Sequence, residues 1–91
     1  KLETIAPLFG YNSAYLDKLF TKEIGENFNS YVDHRRIEHS KRLLAQKNIK
    51  VYEVSEQVGY RNVDYFHKKF KKYVGISPAE YRKQLKLEAI E

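Results

Sequence analysis

Gly59-Tyr60-Arg61-Asn62-Val63-Asp64-Tyr65-Phe66-His67-Lys68-Lys69-Phe70-Lys71-Lys72-Tyr73-Val74-Gly75 decides the fold, because a second copy of its pattern lies upstream. Gly10-Tyr11 matches Gly59-Tyr60, Leu16 matches Phe66, Phe20 matches Phe70, Gly25 matches Gly75 and Tyr31 matches Tyr81. The offset is 49 residues at the first pair and 50 at the later ones, so the second copy carries one extra residue between Gly59 and Phe66. The agreement continues upstream, with Ile5-Ala6 against Val54-Ser55 and Phe9 against Val58. Two copies are too few for a solenoid and indicate a duplicated small module.

Each copy reads as helix, tight turn, helix. In the first, Leu2, Ile5, Ala6 and Phe9 fall at helical spacing, Gly10 ends the helix and Asn12 caps the next. Leu16, Leu19, Phe20 and Ile24 then form a stripe expected to be buried, with Gly25 closing the helix. In the second, Val51, Val54, Ser55 and Val58 line the first helix, Gly59 turns the chain and Asn62 is the cap. Phe66, Phe70, Tyr73 and Val74 face inward. Ala6 and Ser55, four before each glycine, are small because two helices crossing through a short turn come closest there. Pro7 conflicts with a regular first helix: either it costs a hydrogen bond, or Thr4 is the cap and the helix is very short.

Between the copies, Phe28 to about Gln46 predicts one long amphipathic helix capped by Asn27, with Tyr31, Val32, Ile37, Ser40, Leu43 and Leu44 inside. At 1.5 Å per residue it spans about 27 Å and so suits a spacer between the two copies. Ser77-Pro78-Ala79-Glu80 opens the last helix as a capping box with proline at its first position. Tyr81 and Leu85 pack inward, and fraying is expected from Leu87 onward. The fold class is all-α: a first unit over residues 1–26, a linker helix over 27–47, and a second unit with the C-terminal helix over 48–91.

Composition narrows the function. There is no cysteine, which removes disulfides and thiolate metal sites, and His34 and His39, five apart, diverge around a helix. No metal or cofactor is expected. Nucleophile, base and orienter do not occur together and no glycine-rich phosphate loop follows a strand, so no enzyme is expected. The lack of cysteine suits the cytoplasm, no apolar run is long enough to cross a bilayer, and the first residues do not resemble a signal peptide. A start at Lys1 suggests a piece of a longer protein. Net charge is +5, and it is uneven: residues 1–46 hold seven basic and six acidic side chains, residues 47–91 ten and six. That surplus suits a phosphate-bearing partner.

The stretch from Gly59 to Arg82, with Tyr15-Leu16, Phe20, Arg36-Ile37 and Leu43-Leu44, resembles the DNA-binding domain of the AraC/XylS family of bacterial transcription regulators, over nearly the whole chain. The resemblance is closest to the output domains of two-component response regulators. It implies two homeodomain-like, three-helix, helix-turn-helix subdomains that bind one asymmetric duplex site, with recognition helices in successive major grooves. It also implies a fused upstream regulatory or receiver domain and admits a contact with RNA polymerase. The family domain usually begins with a further short helix before residue 1. Ser40 and Ser55 stand where the family often has alanine, and Lys18 and Lys68 where it has arginine, so the bidentate guanidinium fork is absent.

The family's base-facing positions carry over to Ala14, Asp17 and Lys18, and to Val63, Asp64, His67 and Lys68. Lysine donates to guanine O6 and N7 or to a phosphate, a carboxylate accepts from cytosine N4 or orients its neighbouring lysine, and Ala14 and Val63 suit thymine methyls. Ser13, Lys22, Arg61, Lys71 and Lys72 are candidates for phosphate contacts. Arg36 is expected to brace the two halves. The tyrosines mostly fall on stripes read as buried, which favours core packing over stacking on bases. The second copy, with most of the charge, is expected to supply phosphate affinity, and the first mainly discrimination. The rival reading is a protein-interaction module that keeps the fold without DNA binding; membrane-surface binding is disfavoured because the apolar faces are folded inward.

Overall fold

A computed structural model describes residues 2–90, and the side chains of 2–88. Its helices are α1 (Leu2–Ile5), α2 (Ser13–Ile24), α3 (Phe28–Leu44), α4 (Val51–Val58), α5 (Val63–Val74) and α6 (Pro78–Ile90), with a 3-10 turn at Ala6–Phe9. Among the described residues there is no strand. The chain divides into two compact units, Lys1–Asp33 and His34–Glu91, and the division falls inside α3.

In the first unit, Pro7 is accommodated by a change of helix type. The α-helical turn of α1 gives way to the 3-10 turn, with Pro7 in its first positions, where no amide donor is needed. Thr4 therefore lies inside α1 rather than capping it. Gly10 then adopts φ +78°, its amide donates to Pro7 O (3.2 Å), and Tyr11 N donates to Ala6 O (3.1 Å). The second copy closes in the same way, with Gly59 at φ +104° and Tyr60 N donating to Ser55 O (2.9 Å). Helix α2 starts at Ser13 and α5 at Val63, so the extra residue of the second copy lies in its turn, where exposed Arg61 stands between Tyr60 and the cap.

The expected burial of the first copy's stripe is only half met. Leu16 and Phe20 are half-buried, and Phe20 packs on Phe28 and Tyr31 with ring centroids 5.4 and 5.3 Å apart. Leu19, Ile24 and Phe9 are exposed, Phe9 at 68% against 6% for its counterpart Val58. Val54 and Val58 share a core with Ile37, Leu43 and Leu44 from α3, the helix that precedes α4. Among the described residues no helix precedes α1 to do the same. Periodicity marks the apolar face, and only a neighbouring element buries it.

The second unit closes around Phe66 and Phe70 of α5, both fully buried, with Tyr60 tilted against Phe66 and Tyr81 meeting Phe70 edge-on. Within this unit Arg36 reaches the turn of the second copy. Its guanidinium lies 5.1 Å from the Tyr60 ring centroid and would sit 3.1 Å from a Cβ at Gly59. Arg82 Nε donates to Leu44 O (3.1 Å) and so serves a carbonyl at the C-terminus of α3. At α6, Glu80 N donates to Ser77 Oγ (3.2 Å), but Glu80 Oε1 meets the Ser77 hydroxyl (3.4 Å), so the box closes on the side chain. Glu53 does what was expected there, accepting from Lys50 N (3.0 Å) at the start of α4. α6 runs from Pro78 to Ile90, with Leu87 exposed.

Ser55 is more than a small residue at a close approach. Its buried hydroxyl donates to Tyr60 O (2.7 Å) and fastens α4 to the turn that follows it. Ser40 Oγ donates to Ile37 O (2.6 Å), a carbonyl within its own helix. Ser55→Ala should therefore lower unfolding free energy in urea by about 1–3 kcal/mol, because Tyr60 O is left buried without that donor. Ser40→Ala should be close to neutral in the same measurement.

Candidate nucleic-acid interface

Helices α2 and α5 start from the same device. Asn12 Oδ1 accepts from Tyr15 N (2.8 Å) and Asn62 Oδ1 from Tyr65 N (3.0 Å), each cap residue being extended. Asn27 Oδ1 does the same for α3, accepting from Ser30 N (2.8 Å). Each cap fixes where its helix begins and hence which side chains turn outward.

On α2 the outward set at i, i+3 and i+4 is Ala14, Asp17 and Lys18, continued by Lys22, with Ser13 half-buried at the start. On α5 it is Asp64, His67 and Lys68, continued by Lys71 and Lys72, with Val63 half-buried at the start. The two sets correspond at an offset of 50: Ala14 with Asp64, Asp17 with His67, Lys18 with Lys68, Lys22 with Lys72. The helix of each unit thus gathers its own candidates on one face. Lys72 also lies over the Tyr73 ring, 5.5 Å from its centroid. No described helix is long and apolar enough to cross a membrane.

Asp17 has a partner that its sequence position did not announce. Its Oδ1 accepts from Phe28 N (2.9 Å), and the side chain is half-buried. Phe28 opens α3 and needs an acceptor for its amide, since the first helical amides have none of their own. The residue that corresponds to Phe28 in the second copy is Pro78, which opens α6 and has no N–H. His67 is consequently released from the duty that Asp17 performs. The pairing of phenylalanine with aspartate and of proline with histidine was a signal in the duplicated sequence.

The tyrosines depart from the expectation of core packing. Tyr11, Tyr15, Tyr52 and Tyr65 are about half exposed, and of the eight only Tyr60 is buried.

A family profile described as "Helix-turn-helix domain" matches residues 5–84. The chain belongs to the AraC-type helix-turn-helix family of transcription regulators. It is 41% identical over 75 residues to an uncharacterized transcriptional regulatory protein, YesN of Bacillus subtilis, covering 80% of this chain and 20% of that protein. The C-terminal domain of a two-component response regulator from Fusobacterium nucleatum superposes with a TM-score of 0.85 at 40% identity, over 90% of this chain and 80% of that one. The DNA-binding domain of AdpA, a global transcriptional factor solved with a target DNA, gives 0.89 at 25% identity, over 97% of this chain and 79% of that one. This AraC-type chain spans about a fifth of the length of YesN.

The Asp17 bridge has a measurable weight. Asp17→Ala should destabilise the domain by about 1–2 kcal/mol in urea and speed amide exchange at Phe28. Asp17→Asn, which keeps an acceptor oxygen, should restore most of both.

Proposed function

We propose that this domain binds double-stranded DNA in a sequence-specific way, with α2 and α5 entering successive major grooves of one site. The observation that carries the reading is the repeated outward set on two similarly capped helices. A single such face is a common solvated surface, whereas a duplicated one with lysine at the same register fits a repeating polyanion. Ala14, Lys18, Val63, Asp64, His67 and Lys68 face base edges in this reading, and Asp17 does so with one oxygen already committed to Phe28. Ser13, Lys22, Arg61, Lys71 and Lys72 take phosphates, which position without specifying. Arg61 adds charge to the second turn only, in keeping with stronger phosphate binding there.

The domain acts as the output part of a longer cytoplasmic regulator, with the sensing or receiver domain upstream and RNA polymerase within reach at a promoter. The short share of YesN that it spans, and the response-regulator origin of the Fusobacterium domain, support this.

Enrichment of random duplexes at low salt should yield two motifs about 10–11 bp apart, centre to centre. Lys18→Ala and Lys68→Ala should each weaken binding to the enriched site. The slope of log affinity against log salt should shrink by about one for each phosphate that is no longer neutralised, and stay constant where the lysine serves a base. If no sequence emerges over random duplex, the domain is an interaction module instead.

A further inference from the structure

Tyr15 and Tyr65 are large aromatic side chains, each 49% exposed, in the first turn of a recognition helix. Their backbone amides are held by the two asparagine caps, at 2.8 and 3.0 Å. Their rings lean on the tyrosine of the preceding turn, Tyr15 on Tyr11 at 5.5 Å and Tyr65 on Tyr60 at 5.8 Å between centroids. Among the described residues neither hydroxyl has a hydrogen-bond partner. Core packing does not account for a ring left half in water, nor does it account for a hydroxyl.

What lies beside each ring is positive. Lys18 and Lys22 follow Tyr15 at three and seven residues, and Lys68 and Lys72 follow Tyr65 at the same intervals, along one side of the helix. Lys69 Nζ also stands 5.4 Å from the Tyr65 ring centroid. Each tyrosine therefore heads a row of cations. A ring already stacked loses little rotamer freedom when its hydroxyl is engaged, so the donor is cheap to immobilise.

We propose that Tyr15 and Tyr65 are paired backbone anchors, each donating its hydroxyl to a phosphate oxygen at the edge of the groove its helix enters. The inference rests on the DNA-binding reading above and adds two hydrogen bonds to it. It carries a signature that lysines do not share. A neutral hydroxyl displaces no counterion, so removing it lowers affinity without changing the salt slope. A phosphate contact also reads no base, so the loss falls equally on every sequence.

The test uses the 91-residue chain with Tyr15→Phe, Tyr65→Phe and both together, and Tyr52→Phe as control. Tyr52 is similarly exposed but sits on α4. Phenylalanine keeps the ring packing, so thermal midpoints should match wild type. Affinity for both the enriched and a random duplex should fall about tenfold per hydroxyl, with an unchanged salt slope. The control should bind as wild type. Unaltered binding by the Tyr15 and Tyr65 variants, a loss confined to particular bases, or an equal loss in the control overturns the tyrosine assignment alone. Failure of the wild-type chain to select any duplex overturns this assignment and the DNA reading together.

Discussion

Everything that α5 presents to solvent depends on what Phe66 and Phe70 do behind it. The two rings lie 5.8 Å apart with no exposure, bounded by α3 and α4 and capped by Tyr60 and Tyr81. A helix of 12 residues is marginal alone in water. It becomes a rigid mount for outward side chains only because its other face is locked into a packed core. The spacing of those two rings, four residues apart, leaves Asp64, His67, Lys68 and Lys71 on the far side without any further device.

The duplication conceals a division of labour that follows from one substitution. Phe28 and Pro78 begin corresponding helices, and a proline begins a helix without a donor to satisfy. In the first copy the recognition helix must supply the acceptor, and Asp17 does so across eleven residues. In the second copy that position is free to carry a histidine. A carboxylate on a face otherwise suited to a polyanion thus has a structural cause, which reconciles it with the lysine beside it.

Much of the fold was legible because its signals are local. The asparagine caps, the glycine that ends each supporting helix and the aromatic stripe of α5 all depend on residues within a few positions of one another, and all stand where their spacing put them. What was not legible depends on partners distant in sequence. Phe9 and Ile24 carry the same periodic signal as Val58 and Val74, yet are exposed, because no described element covers them. The role of Ser55 needed the position of Tyr60 O, and that of Arg36 needed the turn at Gly59. Pro7 left open a regular helix with a lost hydrogen bond and a very short one capped by Thr4, and the chain uses neither, tightening into a 3-10 turn instead.

The candidate interface divides in the same way. Register alone placed Lys18 and Lys68 outward, since helix geometry leaves no choice once the caps are set. The tyrosines were misread as core because aromatic residues at helical spacing usually are. Their exposure follows from the turn: Tyr11 and Tyr60 already occupy the ground next to the cap, and a second ring at the first helical turn can only lean against them from outside. The insertion of Arg61 lengthens the second turn by one residue, yet the ring pair reforms at nearly the same separation, 5.8 Å against 5.5 Å. A ring pair that survives a change in loop length in two copies of one module, while leaving the Tyr15 and Tyr65 hydroxyls in water, is one that packing alone does not require.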